Sequence, residues 1–244
     1  MNTVGVLTER RVLVAGGAGH VGRILVSALL DAGAKVAVPS RSATRLAALR
    51  AAVTGGSADA LVTIEGDVAD EGDGPRVLDE ALRQLGGIDA VVASMGGFVM
   101  APSVLDATAD DLRRTLENYV VAHFRIARNV LPVLQAQGGS YTFINGFLAF
   151  GPVFRGAGLV AAATASQAML TRVIMQEMEG SSVRMNEVVL YSSFGRDDDE
   201  ERNRGIVSKE DVGRFVALLM SDRGGHVRGQ TIHLKSMEAG ALMH

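Results

Sequence analysis

Short apolar runs alternate along the chain with longer stretches in which apolar positions recur every three to four residues. The runs predict strands at 11–15, 35–38, 61–65, 89–93, 141–145, 184–190 and 230–234. The periodic stretches predict helices at 22–32, 43–52, 75–85, 109–135, 159–179 and 209–220. The segments RVLVA, VAV and AVVA are apolar at consecutive positions, as strands covered on both faces are. Strand and helix alternating over seven strands predict an α/β fold: a doubly wound, seven-stranded parallel sheet with helices on both faces. No internal repeat and no linker rich in Pro, Gly or Ser interrupts the pattern, so residues 1–244 read as one domain. The charged stretch GRDDDEERNRG at 195–205 reads as a solvated surface loop.

Composition narrows the field. Of the residues, 48% are hydrophobic, enough for a buried core and against disorder. A net charge of −3 and a pI near 6.0 give no basic footprint for nucleic acid or an anionic membrane. No apolar run is expected to span a bilayer, and the N-terminus lacks the apolar stretch of a signal peptide. There are no cysteines, which excludes disulfides, thiolate metal sites and a cysteine nucleophile and suits a cytoplasmic location. No metal site is expected.

The first strand runs directly into Gly16-Gly17-Ala18-Gly19-His20-Val21-Gly22, with a helix after it. Glycines at this junction permit a tight turn and let backbone N–H groups approach a pyrophosphate facing the helix N-terminus, as in Rossmann-type folds. The second strand is followed by Pro39-Ser40-Arg41. An NAD site places an acid here for the ribose 2′-hydroxyl. Arg41 instead suits a 2′-phosphate, with Ser40 as a neutral donor, so the local chemistry favours NADP(H).

The third strand ends in Glu65-Gly66-Asp67-Val68, and the fourth begins Asp89-Ala-Val-Val. With the glycine turn and the strand spacing, these motifs resemble the short-chain dehydrogenase/reductase family along nearly the whole chain. The resemblance implies that Asp67 and Val68 contact an adenine ring. It also sets Ala93-Ser94-Met95-Gly96 where the family has Asn-Asn-Ala-Gly, so that Ala93 and Gly96 border the cofactor. In the family's short-branch spacing, the middle glycine of the turn falls on His20.

The same resemblance puts the family's catalytic serine at Gly146, its tyrosine at Ala163 and its lysine at Gln167. Its helical Asn falls on Tyr119 or on the adjacent Asn118, and its Pro-Gly on Leu190-Tyr191. Alanine has no proton to give and glutamine carries no charge, so the usual alkoxide protonation has no donor at these positions. The only lysines are Lys35, Lys209 and Lys235, and there are three tyrosines. Tyr191, at the carboxyl edge of the sheet, is a substitute acid or a wall residue, and Tyr119 is a second candidate. His123, one turn beyond Tyr119, reads as a packed residue more readily than as a base. The Gln167 amide is a candidate ribose ligand. Phe98, Val99, Met100, Phe147, Phe150 and Phe154 either line an apolar ligand pocket or fill space beneath a lid.

Two functions follow. One is an NADP(H)-dependent oxidoreductase of small organic molecules, such as imines or activated alkenes, that obtains its proton elsewhere. The other is a catalytically inactive pseudoenzyme serving as cofactor-binding scaffold, sensor or partner subunit. A non-redox lyase or isomerase on the same frame stays open. The Ala- and Met-rich segment 159–178 suits subunit packing, as a homodimer, a homotetramer or a hetero-oligomer with an intact paralogue.

Overall fold

The computed structural model describes residues 3–53, 55–97, 103–152, 154–191 and 207–235. Seven strands form one parallel sheet: β1 (Arg11–Ala15), β2 (Lys35–Ser40), β3 (Leu61–Glu65), β4 (Ala90–Ala93), β5 (Gly139–Gly146), β6 (Val183–Leu190) and β7 (Thr231–Leu234). Their spatial order is β3-β2-β1-β4-β5-β6-β7, so the winding reverses between β1 and β4. That reversal opens a crevice at the carboxyl ends of these two strands, where ligands bind in sheets of this kind.

The helices are α1 (His20–Asp31), α2 (Ala43–Ala52), α3 (Gly74–Leu85), α4 (Ala109–Leu116), α5 (Ala122–Gln137), α6 (Gly158–Glu177) and α7 (Lys209–Met220). Their starts are written in the sequence. Ser42 and Ser208 accept the Arg45 and Asp211 N–H groups at the heads of α2 and α7, and Thr108 forms a reciprocal capping box with Asp111 at α4. Period-2 alternation divides the strand side chains between two cores. Val12, Val14, Val188 and Leu190 meet α1 and α7 residues such as Leu25, Leu29, Phe215 and Leu219. Leu13, Val91 and Phe143 face the other way, onto Val77 and Ala81 of α3 and Ile126 and Val130 of α5. Helices thus cover both faces.

One element departs from its sequence pattern. The helix expected at 109–135 is divided by a wider π-turn at Glu117–Val121, where the Ala122 N–H reaches the Glu117 carbonyl five residues back. Buried Tyr119 sits in this turn. Helix α6 also differs from expectation: by length and apolar composition it is long enough to cross a membrane. Its inner residues, including Ala163, Thr164 and Gln167, are buried within the fold, as in a core helix.

Candidate cofactor and active site

The glycine turn is shaped by contacts that only glycine satisfies. Gly16 has φ +79°, and a Cβ there would lie 2.1 Å from the Ser94 carbonyl oxygen beyond β4. A Cβ on Gly22 would lie 2.1 Å from the Gly16 carbonyl, so α1 packs directly on the turn. Gly17 is held against Val38, where a Cβ would come within 2.8 Å. Gly19 precedes α1 as its N-cap, without a side chain to occupy the first-turn N–H groups, and that turn contains no acid. His20 is exposed and Val21 half-buried. This cradle fits a dinucleotide pyrophosphate, because close backbone approach and the positive helix end both favour an anion.

Along the outer edge, Ser40 ends β2 and Arg41 follows it. The Arg41 Nε lies 3.4 Å from Asp67 Oδ2, with the arginine largely exposed and the aspartate mostly covered. Asp67 also accepts the Ala69 N–H and donates its own N–H to Asp73. The Val68 side chain is buried in the core beside α3, and its carbonyl accepts from Asn129 Nδ2. Ser40, Arg41 and Asp67 therefore share one edge, with Val68 beneath it.

On the inner edge, Ala93 ends β4 fully buried, and the chain turns at Gly96 with φ +106°. A Cβ on Gly96 would lie 2.3 Å from the Tyr119 ring, so the tyrosine packs flat on glycine backbone. Asn118 is exposed, and the inward position belongs to Tyr119. Burial raises the Tyr119 pKa, opposed by a hydrogen bond with the Gly97 backbone. Gln167, 1% exposed, donates its Nε2 to the Tyr119 carbonyl at 2.8 Å. Its donor thus supports the π-turn, which is a different contact from the ribose ligation expected of it.

Gly146 closes β5 with nothing within 4 Å of a hypothetical Cβ, so a side chain would project into open space. Ala163 is fully buried, clustered with Tyr119, Leu148, Val160 and Ala161. Beneath them runs a buried polar chain that the sequence reading missed. Asn145 Nδ2 donates to Glu187 Oε1 at 2.8 Å and to the Thr164 carbonyl, and Thr231 donates to Glu187 Oε2 at 3.0 Å. Burial raises the Glu187 pKa. The signal was available: Asn186 and Glu187 stand together in the otherwise apolar second half of β6.

Tyr191 follows β6, and its hydroxyl lies 2.9 Å from His233 Nδ1 on β7. Its ring is 6.0 Å from that of Phe147, Phe150 meets His233 edge-on at 4.9 Å, and the Lys235 ammonium lies 5.1 Å above the Tyr191 ring. Phe154 is exposed, while Phe98, Val99, Met100 and the loop at 195–205 lie outside the described residues. His233 was also missed, because only strand register brings β7 to Tyr191. His123 is fully buried and stacks on Phe143 at 3.7 Å, away from this edge. Among the described residues, no cluster of His, Asp or Glu could hold a metal ion.

Residues 10–192 match the family model for short chain dehydrogenase. Curated relatives include the L-fucose dehydrogenase of Rattus norvegicus, 26% identical over 76% of this chain and 67% of its own length. An uncharacterized oxidoreductase of Mycobacterium tuberculosis is 27% identical over 93% of this chain and 90% of its own. Among solved structures, a short chain dehydrogenase from Mycobacterium smegmatis superposes with a TM-score of 0.81 at 23% identity, covering 97% of this chain and 96% of that one. The chain belongs to the short-chain dehydrogenase/reductase family of oxidoreductases. Members of that family bind nicotinamide dinucleotides, NAD or NADP, and the cradle at Gly16–Gly22 fits one.

Proposed function

We propose that this protein is an NADP(H)-dependent oxidoreductase of a small organic substrate, working without the family's tyrosine–lysine proton donor. The cofactor preference rests on Arg41. No acid ends β2, and Arg41 already lies 3.4 Å from the Asp67 carboxylate, at the edge where a 2′-phosphate would arrive. A planar guanidinium suits a phosphate because it offers two parallel donors. When bound, the nicotinamide would supply or accept the hydride. Gly16 and Gly22 let the turn close tightly so that its backbone faces the pyrophosphate, and Gly96 lets the Tyr119 ring pack against the chain after β4. Gly146, Ala163 and Gln167 stand where the family's serine, tyrosine and lysine fall. None of them offers a titratable proton, so the site suits an acceptor that is already polarised or is protonated by another group.

A cytoplasmic homodimer or homotetramer is the form we assign to it. Phe124, Met169 and Val173 on α5 and α6 are exposed large apolar residues, and covering them by a second copy removes that surface from water. The functional test is titration with NADPH and NADH, followed by NADPH consumption against carbonyls, imines and enones. The expected result is at least tenfold tighter NADPH binding and turnover with one of these classes. Equal affinity for NADH overturns the cofactor reading. Tight NADPH binding without any turnover overturns the enzymatic one and leaves a binding scaffold.

A further inference from the structure

We infer that Tyr191 is the proton donor of this enzyme for a carbonyl substrate, with His233 as its positioning residue. The inference rests on the oxidoreductase reading above and adds the acid that reading lacks. Three observations carry it. The parallel register aligns Gly146 of β5, Leu190 of β6 and Leu234 of β7, so Tyr191 emerges one step past the row that contains Gly146. Leu190 points into the α1–α7 core, and alternation sends Tyr191 to the opposite face of the sheet. Its ring lies 6.0 Å from that of Phe147, which packs against the cluster containing Tyr119 and Ala163.

The second observation is the 2.9 Å contact between the Tyr191 hydroxyl and His233 Nδ1. With its proton on Nδ1, His233 donates to the phenol oxygen and leaves the phenolic proton free for another acceptor. The third is exposure. Tyr191 and His233 are both half-buried, whereas the hydroxyl of Tyr119 is buried against the Gly97 backbone. Lys235, 5.1 Å above the Tyr191 ring, sets a cation beside the phenolate that proton transfer produces.

The step balances without a further reactant. A bound reduced nicotinamide would supply the hydride to the substrate's carbonyl carbon while the C=O π electrons move to oxygen. That oxygen would take the Tyr191 proton, giving the alcohol and leaving the dinucleotide oxidised. The Tyr191 phenolate, held by the His233 N–H, regains a proton from water.

The test compares NADPH affinity and carbonyl turnover in the wild type, Y191F, H233A and H233N. Y141F, which removes a buried hydroxyl near the start of β5, sets the baseline. Y191F is expected to bind NADPH as the wild type does and to lose about 100-fold or more in kcat. H233A is expected to lose about tenfold in kcat at unchanged KM. H233N, whose amide can donate from near the Nδ1 position, is expected to recover most of it. Wild-type turnover that survives in Y191F within twofold overturns this proposal and leaves the oxidoreductase reading intact. A wild type that turns over no carbonyl overturns this assignment. If no substrate class is turned over at all, the broader reading falls with it.

Discussion

Gln167 Nε2 donates to the Tyr119 carbonyl at 2.8 Å, joining α6 to the π-turn at the head of α5. A charged side chain has no such place there. Q167K would bury an ammonium beside Tyr119 and Ala163, and an unpaired buried charge is strongly disfavoured. We expect Q167K to lower stability by several kcal/mol, or to fold with its lysine neutral. Q167A should be milder, about 1–3 kcal/mol, from one carbonyl left without its donor. Chemical denaturation of the two variants measures both.

Gly146 and Ala163 should respond to larger side chains in opposite ways. Nothing lies within 4 Å of a Cβ on Gly146, so G146S should melt close to the wild type. Ala163 is fully buried among Tyr119, Leu148 and Val160, so A163Y must displace them. Overpacking of this kind costs about 1–3 kcal/mol or more. Equal melting of the two variants would contradict the packing around Ala163.

Arg41 should matter for cofactor choice and little for folding. Its contact with Asp67 is at the surface, where ion pairs contribute little. R41A should weaken NADPH binding about 10- to 100-fold, the range of a lost charge-assisted hydrogen bond. NADH affinity and melting temperature should barely change. Calorimetric titration with both dinucleotides checks the difference.

His123 is stacked on Phe143 with both ring nitrogens lacking partners among the described residues, and burial pushes its pKa down to about 3. The unfolded chain, near 6.5, therefore binds more protons between those values. This contribution to stability is full above pH 6.5 and declines as pH falls toward 3. H123F should be at least as stable at pH 7, with an advantage that widens in acid. Melting curves from pH 7 to pH 4 provide the measurement, and parallel slopes would sink the idea.

Glu187 carries the opposite sign. Burial raises its pKa above the ordinary carboxyl value, so the unfolded chain gives up the proton first. Stability from this group is greatest below the unfolded value near 4.5 and falls as pH rises through the folded one. E187Q keeps partners for Asn145 and Thr231 without a charge, and should remove that fall. A variant that is less stable than wild type at pH 8 would argue that the ionised form is better held than its burial implies.

The sequence by itself determined the seven strands, the alternation that covers both sheet faces, and the glycine turn. These are local properties: apolar periodicity sets which side faces a core, and Gly16 and Gly22 are needed wherever a strand turns this tightly into a helix. The placing of Arg41 and Asp67 at the carboxyl edge was also legible, because they lie one and two residues beyond the ends of β2 and β3. Tertiary structure decided what stands beside what. The π-turn at Tyr119 has no signature in a periodicity that runs smoothly through 109–135, and only packing turned Tyr119 inward and Asn118 outward. The inward use of Gln167, the Asn145–Glu187–Thr231 chain and the pairing of Tyr191 with His233 join residues 42 to 48 positions apart. Contacts over that separation depend on the register of neighbouring strands and the seating of α6. Those are set by the packing of the whole sheet rather than by any segment of the chain.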